Sequence, residues 1–412
     1  MRFFDAHCDT IGKTWEGKAD FAQTAGAAGT RDGATSDGAT READISGHHP
    51  GGSALHVTLP GLRAAGVCAQ VFASWAWTEA YKGREFEVGM GKVEAVRRLC
   101  DEYPADLFLA LTGAEAATAC KVPEPGAASE PGAASGPGAA SGPGEASGPG
   151  APAEQRRPGA RTAVIAGLEG ADPLQGDLDN LAVFYRVGVR LLTLAWGDNA
   201  FCGSTYGTGT GLTAKGIDLV AACEDTHVLV DVSHASDRAF ADVCRVATRP
   251  FIASHSNCRA LCPSPRNLTD EMIRAVAERG GVVGITLAPD FLSAAFHEQA
   301  RSSSEEFWVA VAAGTSTVEE AGKKCSAAEA LIPRPPLDLI VDHVLRAMNF
   351  GGEDAVGLGG DLDGVDTLPA GFDSVADYPR VAELLVQAGL TPTQVEKVCY
   401  GNLARVFKEV IE

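Results

Sequence analysis

Eight short apolar runs, separated by helix-like sequence, constrain this chain's fold more than any other feature. They are Phe3–Ala6, Gly66–Ala73, Thr162–Leu168, Val187–Leu194, Val228–Val232, Phe251–Ala253, Gly281–Leu287 and Ala355–Gly359. A strand with one wet face alternates apolar and polar residues. Most of these runs are continuous and rich in β-branched residues, as in a parallel sheet buried on both faces. Helix signals lie between them. Thr269 precedes Asp270-Glu271 as a cap with an acidic first turn, and Gly280-Gly281 closes that helix. Thr391-Pro392-Thr393-Gln394 reads as a capping box with proline at the first helical position. Eight β–α units predict an α/β fold, a TIM-type (β/α)8 barrel formed by one domain over 1–412. A doubly wound open sheet is the alternative, because a count of strands does not show closure.

Polar residues follow four of the runs directly: His7-Cys8-Asp9, Glu169-Gly170, Ser233-His234 and Ser254-His255. In a barrel the chemistry sits at the C-terminal ends of the strands, where these residues fall. His7 and Asp9 are two apart on a strand-like segment and share a face, while Cys8 points away. A carboxylate such as Glu169 has two oxygens and can bridge two cations. Imidazoles such as His234 and His255 suit zinc. Two acids and three histidines together have the chemistry of a two-metal hydrolase. Asp361 and Asp363, flanked by glycines after the eighth run, are candidates for proton transfer or for holding a substrate ammonium. Arg266, in the loop after His255, is placed to clamp a carboxylate. Gly207-Thr208-Gly209-Thr210-Gly211 lacks the Lys-Ser/Thr of a phosphate loop and reads as a mobile loop near the site. His48, His49, His56, His227, His297 and His343 read as structural or exposed.

Residues Lys121 to Arg161 interrupt this pattern. Between Glu124 and Ala153 a six-residue period of Pro, Gly, Ala and Ser recurs, too poor in apolar area to offset chain entropy. It reads as a disordered insertion within the barrel domain, and Thr24–Thr40 as a long surface loop. The net charge of −20 disfavours nucleic acid or an anionic membrane as partner. No apolar segment is long enough to span a membrane, and the N-terminus lacks a signal-peptide pattern, so a cytoplasmic protein is expected. Eleven scattered cysteines without a CxxC pair suggest reduced, mostly buried thiols.

The stretches FFDAHCDT, AGLEGAD, VLVDVSHAS, PFIASHSNCRALCPSPRNLTDEMIRAVAERGGVVGI, VGLGGDLDGVD and GNLARVF resemble the renal (membrane) dipeptidase family of zinc peptidases. The resemblance implies a barrel, usually dimeric, with two zinc ions per subunit. One zinc would take His7, Asp9 and Glu169, the other Glu169, His234 and His255. Arg266 and Asp361 match substrate-binding and catalytic positions, and Glu169 serves catalysis as the bridging ligand. The implied activity is hydrolysis of dipeptides by a hydroxide bridging the zinc ions, with acceptance of a C-terminal D-residue left open by the sequence. One position departs from the family: where eukaryotic members carry a histidine after the fourth run, this chain has Trp196. Asn199 is the nearby side chain that could replace its hydrogen bond to substrate. The alternatives are another barrel metallohydrolase, such as an amidase or lactonase, and a catalytically silent binding protein.

Overall fold

The computed structural model describes residues 1–17, 19–22, 55–121 and 161–412. The expected loop at Thr24–Thr40, the repeat Glu124–Ala153, and His48 and His49 lie outside them.

Eight parallel strands form one sheet: β1 (Phe3–Asp5), β2 (Val67–Trp75), β3 (Leu107–Leu109), β4 (Thr162–Glu169), β5 (Val189–Thr193), β6 (Leu229–Asp231), β7 (Val283–Ile285) and β8 (Val356–Leu358). Their order is β6-β5-β4-β2-β1-β8-β7, with β3 paired to β4 off this path. Residues 251–253 fill the gap between the two ends, bridging Asp231 to Ile252 on one side and Ala253 to Val283 on the other. The sheet thereby closes into a (β/α)8 barrel, and the open-sheet alternative falls. All eight apolar runs are staves of that barrel. The sequence did not announce β3. It pairs with Thr162–Val164, on the edge of β4 that β5 occupies from Ala166 onward. At three residues, and only partly buried beyond Leu107, it is too short to produce a readable period.

Every residue of β2 and of β4 is buried, which explains their unbroken apolar character. The expected caps form: Thr269 accepts from the Met272 N–H at 3.3 Å, and Thr391 with Gln394 makes the full capping box. One core cluster joins Phe4, Val71, Ile165, Leu191, Leu229 and Ile252 to Leu403, Val406 and Phe407 of the last helix, Asn402–Val410. A separate aromatic cluster gathers Trp75, Trp77 and Tyr81 against Val311, Val318 and Ala321. The last three belong to two helices, Ala294–Ala312 and Val318–Glu329, which follow β7 and pack on each other.

The cysteine expectation needs one correction. Cys68 on β2 and Cys120, just past the helix Gly113–Ala119, form a disulfide. That helix follows β3 and packs back on β2, bringing the two Cα atoms to 4.9 Å, within bridging range. Spacing along the chain carries no such information. The other nine cysteines are free, and seven of them are buried. No helix among the described residues is long and apolar enough to cross a membrane.

The stretch after Lys121 returns at Arg161, immediately before β4 begins, whereas Glu169 closes the opposite end of that strand. The insertion therefore joins the barrel at the rim away from the candidate ligands. Deleting Glu124–Ala153 is expected to leave kcat/KM within about twofold. A loss of about tenfold or more would show that the repeat serves the site.

Candidate active site

The strand ends bring the five predicted ligands together. His7 Nε2 lies 3.3 Å from Asp9 Oδ2 and 3.6 Å from Glu169 Oε1. The same Glu169 oxygen lies 3.1 Å from His234 Nε2 and 3.8 Å from His255 Nε2. The His234 and His255 Nε2 atoms are 2.9 Å apart. Two ligand-capable groups result, His7/Asp9/Glu169 and Glu169/His234/His255, sharing Glu169. Asp361 makes a third with His7 and His255.

Local backbone explains how the side chains converge. Gly170 follows Glu169 at φ +88°, and a Cβ there would approach Asp172 Oδ2 at 3.0 Å, so the chain turns sharply only with glycine. His234 and Asp361 sit at φ +66° and +58°, the left-handed region that L-residues usually avoid. A Cβ on Gly359 would overlap the Ser254 carbonyl, so β8 and the segment carrying His255 approach closely only because that residue is glycine.

Hydrogen bonds set the ring orientations. Ser254 Oγ donates to Asp231 Oδ2 at 2.6 Å and lies 2.7 Å from His255 Nδ1, which makes Nδ1 the ring donor. The Nε2 lone pair of His255 is then left facing Glu169. Asp231 also accepts from Thr193 Oγ1 and from the Ser233 and Ser254 N–H groups. Asp5 ties β1 to β8 by accepting from Gly360 N–H at 2.8 Å and from the Tyr378 hydroxyl at 2.8 Å. Asp363, fully buried, accepts from Thr10, Lys13 and the backbone of His56 and Val57, anchoring the loop that carries Asp361. Sequence reasoning overlooked Asp231. Its signal was an acid ending a buried apolar run two residues before Ser233-His234.

The electrostatics are those of a cation site. Burial alone would lower the His7 pKa, but the Glu169 and Asp9 carboxylates outweigh it and hold His7 up at about 10. Burial, reinforced by the Asp9 charge, pushes Glu169 well above the usual carboxylate range. Burial raises Asp361 to about 6 despite the opposing His7 charge. His234 and His255 are driven well down, first by burial and then by nearby positive charge from Arg266 or His7. A buried acid that holds its proton (Glu169) beside the His234 and His255 imidazoles that refuse theirs is a costly arrangement, which divalent metal offsets. The residues present therefore fit a two-metal centre.

Arg266 is 3% exposed, rests on Phe291 at 5.2 Å, and its Nε and Nη2 have no hydrogen-bond partner. Buried guanidinium donors are rarely left unsatisfied without a function. Trp196 packs 5.8 Å from the His234 ring and lines, with Asp9, Glu16, Trp75, Lys92 and Glu169, a pocket beside the ligands. Asn199 is not presented to the site. Its Nδ2 donates to the Leu194 carbonyl and its Oδ1 accepts from Phe201 and Cys202, so its amide folds the local loop. The expected donor role is corrected accordingly. The Gly207–Gly211 segment is likewise held rather than loose. Asp198 accepts from Ser204 and Thr208, and Ser236 donates to Thr210. The four remaining described histidines have structural partners: His56 with Asp363, His227 with Arg249, His297 with Asp290, and His343 with Cys258 and Leu292.

Fold and site define a barrel protein with two metal-ligand-capable groups sharing one carboxylate at its C-terminal mouth. The chain belongs to the membrane dipeptidase family, peptidase family M19, whose model matches residues 150–412. A Klebsiella pneumoniae protein from the pqqA 5′ region is 36% identical over 256 residues, covering 60% of this chain and 82% of that protein. Dipeptidase tcpJ of Claviceps purpurea is 31% identical over 254 residues, 61% of this chain and 51% of its own. Dipeptidase 3 of Mus musculus is 28% identical over 258 residues, 61% and 45% respectively, so the chain spans about half the length of these two relatives. A Rhodobacter sphaeroides metallopeptidase, solved with a phosphinate mimic of L-Ala-D-Ala, superposes with TM-score 0.67 and 21% identity over 100% of this chain and 99% of its own. At that identity the likeness is one of fold.

Proposed function

We propose that the protein is a metal-dependent dipeptidase that loads two zinc ions and hydrolyses the peptide bond of dipeptides, including those with a C-terminal D-residue. The observation that carries this reading is the single Glu169 oxygen lying within 4 Å of the imidazoles of His7, His234 and His255, beside a buried guanidinium with open donors. His7, Asp9 and Glu169 would hold one ion, and Glu169, His234 and His255 the other. When bound, the pair supplies Lewis acidity toward the scissile carbonyl and an activated water.

The chain's own residues do the rest. Arg266 receives the substrate's C-terminal carboxylate or the developing oxyanion, for which its unpartnered Nε and Nη2 are available. Asp361, grouped with His7 and His255, anchors the free α-amino group or shuttles a proton to the nitrogen of the scissile bond. A requirement for both free termini selects dipeptides over longer peptides. Trp196 offers an indole face where a histidine would offer a ring nitrogen, so it lines the substrate without acting as a base. The family relation and the R. sphaeroides complex with a dipeptide mimic support this substrate class.

The test is hydrolysis of a panel of L-L and L-D dipeptides by purified protein, with zinc and after chelation. Cleavage that is lost on chelation and restored by zinc is expected. Protein that holds two zinc ions yet cleaves no dipeptide would overturn the proposal in favour of an amidase, a lactonase or a silent scaffold.

A further inference from the structure

Partly buried aromatic rings run in unbroken contact across the mouth of the barrel. Trp196 lies 5.8 Å from the His234 ring, Trp308 lies 5.2 Å from Trp196, and Tyr206 stacks on Trp308 at 5.1 Å and 28°. Trp75 and Trp77 are buried behind Trp196, at 5.2 and 4.8 Å, and fix its plane. Two excursions supply the three partly buried rings: the loop after β5 for Trp196 and Tyr206, and the helix Ala294–Ala312 after β7 for Trp308. Neither of the first two is free to drift. Tyr206 follows Thr205, whose N–H donates to the His234 carbonyl at 2.9 Å, and Asp198 holds the rest of that loop.

The direction of this run matters. At one end is His234, a candidate metal ligand. At the other, the Tyr206 hydroxyl feels the Arg266 charge, and Tyr206 and Phe291 line a common pocket. The Arg266 charge acts on both ends, on His234 as on the Tyr206 hydroxyl, so a dipeptide with its carboxylate on Arg266 and its scissile carbonyl at the metal ligands would lie beside this run. The side chain of its C-terminal residue then lies along the aromatic run. Ring faces there reward apolar area and favour offset or edge-on ring contacts over hydration.

We infer that Trp196, Trp308 and Tyr206 form a subsite for the side chain of the substrate's C-terminal residue, and that it selects aromatic or large apolar side chains. Trp308 is the specificity-determining residue, because it touches both of the other rings. The inference rests on the dipeptidase reading and deepens it. The competing chemistry is close by: the pocket that Tyr206 opens onto also carries Asp290, Glu319, Glu329 and Asp366, which would favour a cationic side chain.

The experiment compares kcat/KM for L-Ala-Phe (both Phe enantiomers), L-Ala-L-Lys and L-Ala-Gly in the zinc-loaded wild type, Trp308→Ala and Trp308→Phe. The wild type is expected to favour the better Phe substrate over Gly by about tenfold or more. Trp308→Ala should lower that ratio by about tenfold, chiefly through KM for the Phe substrate, and Trp308→Phe should restore most of it. Melting temperatures of the three proteins separate a lost subsite from a lost fold, and the Phe variant keeps the test alive if the Ala variant unfolds. A wild type that cleaves dipeptides without favouring Phe, or that favours Lys, overturns the subsite and leaves the dipeptidase standing. An unchanged Phe/Gly ratio in Trp308→Ala also overturns it. A wild type that cleaves none of the four overturns both readings.

Discussion

Glu169→Gln is expected to lose metal and activity together, with kcat/KM falling by at least about a thousandfold and metal content falling well below two ions per chain. The reason lies in one atom. Glu169 Oε1 is within 3.1 to 3.8 Å of three imidazole Nε2 atoms drawn from both halves of the ligand set. An amide keeps the shape but offers one oxygen, no charge and two unwanted N–H donors. Metal analysis of the purified variant beside its kinetics decides the matter. Full metal content would remove Glu169 from the bridging role, whatever the activity. The metal-free proteins provide a folding control. Burial raises the Glu169 carboxyl above its ordinary 4.5, so the native state binds that proton more tightly than the unfolded chain does. The resulting stability is fully present below pH 4.5 and is lost as pH rises toward the folded value. Gln does not titrate, so the metal-free variant should lack this pH dependence and fold no worse than metal-free wild type near neutrality.

The second large effect is expected from Asp361→Asn, a loss of about 10²- to 10⁴-fold in kcat/KM with metal retained. Asp361 lies with His7 and His255 but outside the two groups that share Glu169. Burial raises its pKa to about 6, partly opposed by the His7 charge. If the ionised carboxylate is what holds the substrate ammonium or takes up a proton, wild-type kcat/KM falls as pH drops through the Asp361 pKa, which bound metal cations set below its metal-free value. The Asn variant should be slow at every pH and should lack that acidic limb. A variant retaining the limb would assign it to another group, and one with wild-type rates would remove Asp361 from the chemistry.

These expectations rest on residues that the sequence exposed well. Staves buried on both faces have no freedom to alternate, so their apolar runs are legible without knowledge of neighbours. The polar residues that end them stand out for the same reason, which is why His7, Asp9, Glu169, His234 and His255 could be named together. What was not legible depended on contacts between distant segments. Leu107–Leu109 is too short to show a period. Cys68 and Cys120 pair because a helix folds back on β2, a fact absent from their spacing. Trp308 meets Trp196 and Tyr206 only because the helices after β7 cross the mouth. Asn199 looked like a spare amide beside Trp196, yet its carbonyl and N–H are spent on the loop that holds Tyr206 in place. In each case a residue's type was visible but its partner was not.

The closure of the barrel also has a mechanical consequence. β2 and β4 are zipped along seven residue pairs, whereas residues 251–253 meet β6 and β7 through single bridges. The cylinder therefore has a seam. Across it, Asp231 works as a clasp, gripping Ser254 by backbone and side chain from the neighbouring stave. His234 stands on one lip and His255 on the other, so any ligand held by both rings stitches the seam from above. Breathing of the empty barrel should begin there, and amide exchange at Val232, Ile252 and Ser254 should slow more on metal loading than exchange along β2.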